Sequence, residues 1–264
     1  MLGWARFPIP MPILTSKEKK LYLLAKQALV SAGDILMKRF KEFHHDLDFA
    51  AYGQQAYEAA EKVQMEILHN IFKGHGYVTP LSSEEGSSGA PIWRLNPLDG
   101  VSNFSHHIPL FGCSLSLQKD GKTVLSMVYL PVTKEFFHAV EGEGVFLNGR
   151  KLSPLSAKHK DAAQLFVTYC HSRDQEDLKK AHDYLGKIGH RVREMNKITC
   201  ASLGVSLLLR GVYDGFIAPG LSPLSYEAAV HMARMQGADV HETKDGTVMV
   251  FAPGVETVLK DALK

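Results

Sequence analysis

Apolar residues recur three and four apart from Leu21 through Leu24, Ala25, Ala28, Leu29, Ala32, Leu36 and Met37 to about Phe40. That spacing predicts a long amphipathic helix, and Thr15 and Glu18 stand at the spacing of a capping box at its start. A polar break through Asp46 and Asp48 follows. Helical spacing then returns from about Gln54 to Phe72, with Ala56, Ala60, Val63, Ile67, Leu68 and Ile71 on one face. Between Gly112 and Leu152 the period shortens to two. Ser114-Leu115-Ser116-Leu117 alternates, and Asp120-Gly121 and Asn148-Gly149 are hairpin-turn pairs. Val124 to Leu130 and Glu135 to Val140 continue this antiparallel meander. Helices are predicted from Asp174 to about Gly186, from Ala201 to Arg210 and from Tyr226 to Gln236. Val248 to Ala252 reads as a buried strand, and Val255 to Leu263 as a short closing helix. No repeat, low-complexity tract or linker divides the chain.

Between the two helical stretches and the meander lies a segment of different character, Glu84 to Phe104. Two acids, Glu84 and Glu85, precede a glycine-rich turn. A short apolar strand, Ile92 to Leu95, then empties into the polar turn Asn96-Pro97-Leu98-Asp99-Gly100. Pro97 fixes its own φ and pushes Asn96 out of the helical region. Gly100 permits a tight backbone, after which Val101-Ser102-Asn103-Phe104 can open a helix. Carboxylates delivered beside such a turn are how proteins hold Mg²⁺, and free N–H groups at a helix start suit a phosphate. The same residues also fit a solvated acidic loop followed by an ordinary strand and turn, and residue chemistry alone leaves both readings open.

Composition narrows the class. With 264 residues the chain suits one large domain or two tightly joined halves. A net charge of +2 gives no electrostatic case for nucleic acid or an anionic membrane. Three cysteines, Cys113, Cys170 and Cys200, form no pattern, which points to a reducing, cytoplasmic setting. The apolar start, Met1 to Leu14, is interrupted by Pro8, Pro10 and Pro12 and is not read as a signal peptide. No run approaches the roughly 20 apolar residues of a membrane span.

The spelling of the central segment adds more. Asn96-Pro97-Leu98-Asp99-Gly100-Val101-Ser102-Asn103-Phe104 resembles the inositol monophosphatase signature Asp-Pro-Ile-Asp-Gly-Thr-x-Asn-Phe. Glu84-Glu85 stands at the spacing expected for that family's upstream Gly-Glu-Glu. Phe111 to Leu115 is similar to the strand after the signature, and Gly142 to Asn148-Gly149 to the family's Gly-x-Gly-x-Phe-x-Asn-Gly hairpin. The resemblance implies an α/β (α+β) fold, a layered αβαβα sandwich. Residues 1–153 would form an N-terminal half with two helices and an antiparallel sheet, and 154–264 a C-terminal α/β half. The site would lie between them, where Glu84, Asp99 and the helix start at Ser225-Tyr226 converge.

The family's chemistry is Mg²⁺-assisted hydrolysis of a phosphate monoester. By resemblance, Glu84 and Asp99 are the catalytic acids and metal ligands, with Asn96 and the Leu98 carbonyl as further ligand positions. Gly100, Val101 and Ser102 form the phosphate-binding turn. Several positions depart from the pattern. Asn96 replaces the metal-bridging aspartate, and Val101 replaces the threonine that positions water. The downstream aspartate falls on Ser225 or Tyr226, with Glu227 adjacent, although one residue turns a helical side chain by about 100°. Weaker matches place the family's helix-2 acid on Tyr57, an arginine on Asn196, a Gly-Ser pair on Thr199-Cys200 and a sugar-contacting glutamate on Ala218. Losing the bridging acid, a second ligand and the hydroxyl together disables a two-metal centre, because such groups act as a unit.

The chain therefore reads as a family member with a degenerate site, holding at most a weak Mg²⁺ and acting by binding a ligand or protein. A small phosphorylated ligand and a homodimer fit this reading; nucleic acid and membrane do not. The alternative is an active phosphomonoesterase on inositol phosphate or another small sugar or nucleotide phosphate. It would need Glu227, Glu85 or Asp214 as a substitute acid.

Overall fold

The computed structural model describes residues 16–43, 48–156, 163–168, 175–244 and 246–259. Thr15, Asp46, Cys170, Asp174 and Leu263, all named above, lie outside them. The first apolar stripe forms α1 (Ser16–Lys41). The second forms α2 (Phe49–Ile71), which starts at Phe49 and not at Gln54. Asp48 explains the earlier start: its carboxylate accepts hydrogen bonds from the N–H groups of Ala50 (3.0 Å) and Ala51 (3.2 Å). The added turn buries Tyr52, whose ring stacks on Phe104 at 5.4 Å.

The helices cover one face of an eight-stranded sheet. Its strands are β1 (Gly76–Val78), β2 (Ser83–Glu84), β3 (Ile92–Asp99), β4 (Gly112–Lys119), β5 (Lys122–Leu130), β6 (Glu135–Val140), β7 (Gly144–Leu147) and β8 (Arg150–Lys151), in the order β2-β1-β3-β4-β5-β6-β7-β8. β1 runs parallel to β3 and every other pairing is antiparallel. β3 continues past Leu95 to Asp99, because the segment after Asn96 still pairs with β4 across a register shift. A five-residue helix, α3 (Val101–Ser105), follows at once.

The second sheet holds β9 (Gln164–Val167), β10 (Glu194–Lys197), β11 (Gly215–Ala218), β12 (Asp239–Glu242) and β13 (Val248–Phe251), in the order β10-β9-β11-β13-β12. Among the described residues, four α-helices belong to this half: α4 (Gln175–Ile188), α5 (Ala201–Leu209), α6 (Pro223–Met235) and the short α7 (Glu256–Leu259). Pro223 occupies the first turn of α6, so that helix starts before Tyr226. α5 and α6 pack against the large sheet on one side and the small sheet on the other. α4 sets Leu178 and Leu185 against Val167 on the far side of the small sheet. The layers are thus α1/α2, large sheet, α5/α6, small sheet and α4, the expected αβαβα sandwich.

Alternation along β3 explains how one strand serves two layers. Trp93 and Leu95 enter the core under α1 and α2, while Arg94 and Asn96 take the opposite, α6-side face. Each fully buried large side chain contributes roughly 1.5–3 kcal/mol. Cys113 and Cys200 are both buried and unpaired. No helix among the described residues is long and apolar enough to cross a membrane.

One buried group ties this core to pH. His138 on β6 is fully buried, stacked on Phe146 at 4.9 Å and edge-on to Tyr22 at 5.1 Å. Neither ring nitrogen has a hydrogen-bond partner among the described residues. Burial, and then the nearby Lys26 charge, push its pKa down to about 3. The unfolded chain binds this proton near the ordinary value of 6.5 and the fold does not, so stability falls as pH drops from about 6.5 towards 3. Urea unfolding at pH 7.5, 5.5 and 4.0 should show this fall, on the order of 4 kcal/mol if complete, and a clearly smaller one in His138→Phe. Equal falls in both proteins would refute the assignment.

Candidate functional site at the signature turn

The signature occupies the end of β3, where strand, turn and short helix meet. Gly100 has φ of +84°, and a Cβ there would lie 2.8 Å from the Leu110 carbonyl oxygen. Only glycine fits that backbone and space. Asn103 fixes the turn from the other side. Its amide donates to the Leu110 carbonyl at 2.7 Å, and its Oδ1 accepts from the Thr199 hydroxyl at 3.0 Å. Val101 is 37% exposed and Ser102 is exposed as well, while Gly100 is buried, so two of the three phosphate-turn positions face solvent.

Asp99 has a structural role besides the one the resemblance implies. Its Oδ2 accepts a 2.6 Å hydrogen bond from the backbone N–H of Ser202, and the Cys200 thiol lies 3.4 Å away as a second donor. Ser202 belongs to the first turn of α5, and Cys200, that helix's N-cap, makes no side-chain cap of its own. Asp99 therefore caps α5 from another sheet, supplying the oxygen that a local Ser or Asp normally supplies. Burial pushes its carboxyl pKa up, opposed by hydrogen bonds from Ser202, Cys200 and the Gly100 N–H. Burial and the adjoining Asp99 push the Cys200 thiol up too, which keeps it a protonated donor.

The structure does not bring Glu84 to this point, and here the expectation is corrected. Glu84 lies on β2, which turns back antiparallel to β1, and pairs with Tyr77. Tyr77 in turn pairs with Trp93, near the opposite end of β3 from Asp99. Six residues of strand separate Trp93 from Asp99, roughly 20 Å. Glu84 instead meets His69 at 2.8 Å on the surface. β1 runs parallel to β3, so the stretch heading toward Asn96 is Thr79-Pro80-Leu81-Ser82. That turn closes on the Thr79 hydroxyl, which accepts from the Leu81 and Ser82 N–H groups, and it carries no acid.

The substitute acids are also engaged or remote. Glu227 projects from α6 to the Trp93 end of β3. It pairs with the Arg94 guanidinium at 2.5 Å and accepts from Gln118 Nε2, the Thr123 hydroxyl and the Ser116 hydroxyl. Asp214 clamps the small sheet, accepting from the Gln164 N–H at 2.9 Å. Glu85 is exposed in the loop after β2. Tyr226 is buried within the second turn of α6, where the charges that reach it are Glu242, Glu227, Arg234 and Arg94. Ser225 is half-buried in the first turn. Asn96 is buried on β3, and Leu98 is buried beside Asp99. Among the weaker matches, Tyr57 and Ala218 are buried, and Asn196 donates to Glu194 on β10.

A Mg²⁺ ion needs several hard oxygen ligands converging at about 2.0–2.1 Å. No group of three His, Cys, Asp or Glu side chains that could hold a metal ion occurs among the described residues. The donors present do not fit the ion, because Asp99 is turned into α5 and the other acids are elsewhere.

Two stability measurements test this geometry. Asp99→Ala should cost about 2 kcal/mol, from a lost cap and an orphaned N–H, with Asp99→Asn retaining most of the stability and Glu84→Ala within about 0.5 kcal/mol of the parent. Similar losses at positions 84 and 99 would contradict the placement. Glu227→Ala should cost about 2–3 kcal/mol, because a half-buried Arg94 is left unpaired, and the double change with Arg94→Met should recover part of that. Simple additivity of the two single changes would argue against the pair.

Comparison with known proteins agrees with this fold. Residues 17–255 match the model of the inositol monophosphatase family. An inositol-1-monophosphatase of Rhizobium meliloti is 31% identical over 219 residues, covering 80% of this chain and 81% of that protein. Nus factor SuhB of Escherichia coli K12 is 27% identical over 229 residues, covering 84% and 85%. Among solved structures, an extragenic suppressor protein SuhB from Bartonella henselae superposes with a TM-score of 0.81 at 23% identity, covering 92% of this chain and 99% of that one. An Anabaena inositol monophosphatase gives 0.80 at 22% identity, covering 94% and 96%. These likenesses in structure speak for the fold, and with the family match over residues 17–255 they place this chain in the inositol monophosphatase family.

Proposed function

We propose that this chain is a non-catalytic member of its family, one that keeps the scaffold and acts by binding a small ligand or a protein partner. The observation that carries this reading is the Asp99 carboxylate. It is turned into the first turn of α5, while Asn96, Val101 and the Thr79–Ser82 turn bring no second acid beside it. Phosphoryl transfer by paired metals needs charge concentrated at one point to gather dications and steady the leaving oxygen. Family resemblance to enzymes argues for function only through the site, and here the site is depleted. A relative that carries the name Nus factor SuhB bears a title other than that of a phosphatase, which supports a role outside hydrolysis. A homodimer in a reducing, cytoplasmic setting goes with this proposal.

A second reading draws on the 31% identity to an inositol-1-monophosphatase. It holds that the chain hydrolyses a small phosphate ester through a rearranged site. The two readings separate in a Mg²⁺-dependent phosphate-release assay on an inositol monophosphate, a sugar phosphate and a nucleoside monophosphate. No release above the blank is expected from the native chain. Restoring acids and hydroxyl together (Pro80→Glu, Asn96→Asp, Val101→Thr and Tyr226→Asp) should yield detectable release. Release by the native chain that disappears in Asp99→Ala would overturn the proposal in favour of the second reading.

A further inference from the structure

The two ends of α1 are held to the large sheet unequally. Near its start, Tyr22 meets the His138 ring edge-on at 5.1 Å, and Lys26, one turn on, sits 5.1 Å over the Phe136 ring. Beside them a cavity of about 450 Å³ is lined by Leu21 and Tyr22 on the helix and by Leu117, Leu125 and Val140 on the sheet. Leu23, on the outer face, is 51% exposed. The later turns are fastened. The Cys113 thiol donates to the Leu29 carbonyl at 3.5 Å. Gly33 lies so near the Tyr129 ring that a Cβ would come to 2.5 Å from it. The Tyr52 hydroxyl donates to the Arg39 carbonyl, and Phe40 packs among Phe104, His107 and Phe111. A segment with fewer buried contacts opens at lower cost than the rest of its fold.

His138 couples that difference to protons. Its ring is fully buried, and among the described residues neither nitrogen has a partner. The groups facing it are Tyr22 and Lys26 of α1, Met127 and Tyr129 of β5, and Phe146 of β7, with Lys151 of β8 beyond Phe146. Of the cavity's ionisable groups, Lys119 and Glu141 are exposed and His75 stands on the far wall. The charge of Asp34, farther along α1, acts on Tyr129 and Cys113. The charge that acts on His138 is that of Lys26, which opposes a second cation. An imidazolium formed in the closed structure would therefore be buried, unhydrated and beside a like charge. β5 and β7 are laddered to β6 on either side of the ring, so the cover that lifts at least cost is the start of α1.

We propose that Lys19 to Leu29 of α1 form an acid-released flap: His138 takes a proton only when these turns leave the sheet, so acidification populates an open form while the remaining layers stay folded. The open form would bare an apolar floor of Leu125, Met127, Phe136 and Val140.

Amide hydrogen exchange on the full chain tests this, with rates at pH 7.5, 6.5 and 5.5 divided by the intrinsic rate at each pH to give opening constants. Residues 19–29 should open more readily than residues 32–41 at every pH. Their opening constant should rise about tenfold from pH 7.5 to 5.5, as one proton binding near the ordinary histidine value requires. In His138→Phe the rise should vanish. Equal opening constants along all of α1 would show that no flap exists, and a pH-independent constant for residues 19–29 would show that His138 does not govern it. These two native-chain readings decide the matter should His138→Phe fail to fold. A tenfold rise that persists in a folded His138→Phe would overturn the proposal as well.

Discussion

One hydrogen-bonded carboxylate fastens this molecule together. Asp99 ends β3 of the large sheet and receives the N–H of Ser202 at the start of α5, a helix that packs onto β11 of the small sheet. Removing a carboxylate from water is costly, and here the cost is offset by oriented donors and the positive end of a helix. Two glycines make room for it. Gly100 turns the chain in the left-handed region, and Gly112, paired with Asp99, would place a Cβ 2.8 Å from Leu130 and 3.7 Å from Ser202. The turn is therefore shaped by the approach of α5 as much as by any ligand.

Both of these hydrogen bonds, from Ser202 and Cys200, end on Oδ2, so one oxygen of this carboxylate is committed to the helix cap. In a chain that keeps several acids at this place, one carboxylate can be shared among roles. Here the neighbouring positions are an amide, a valine and an acid-free turn, and Asp99 holds the layers in register. Glu227 repeats the logic at the other end of β3, where one carboxylate collects Arg94, Gln118, Thr123 and Ser116 into a lock between sheet and α6. Asp99 and Glu227 thus serve cohesion between layers.

Periodicity made most of the layers legible, since α1, the meander and the apolar α5 follow directly from spacing. The resemblance added their stacking order. Local chemistry that periodicity does not see moved the boundaries: Asp48 pulled α2 back to Phe49, and Pro223 started α6 early. At the site, Asn96 and Val101 were readable one residue at a time. Glu84 was not, because a match in spelling carries no strand direction, and β2 reverses the chain away from Asp99. The partners of Asp99 and Arg94 lie more than a hundred positions away, and nothing in a single sequence marks pairs that distant. A charged Arg94 inside an otherwise apolar strand was the one local hint that a buried partner existed.

Both sheets finish in strands that discourage continuation. The large sheet is bounded by two-residue strands, Ser83–Glu84 and Arg150–Lys151, and the small one by Glu194–Lys197 and Asp239–Glu242, each carrying charge. Short, charged rims offer few free ladder groups to an incoming chain. Fibrillar growth by strand addition is thereby discouraged even though thirteen strands are present among the described residues. With the sheet edges so closed, the surfaces left open to any neighbouring molecule are those of helices and loops, where side chains can discriminate partners.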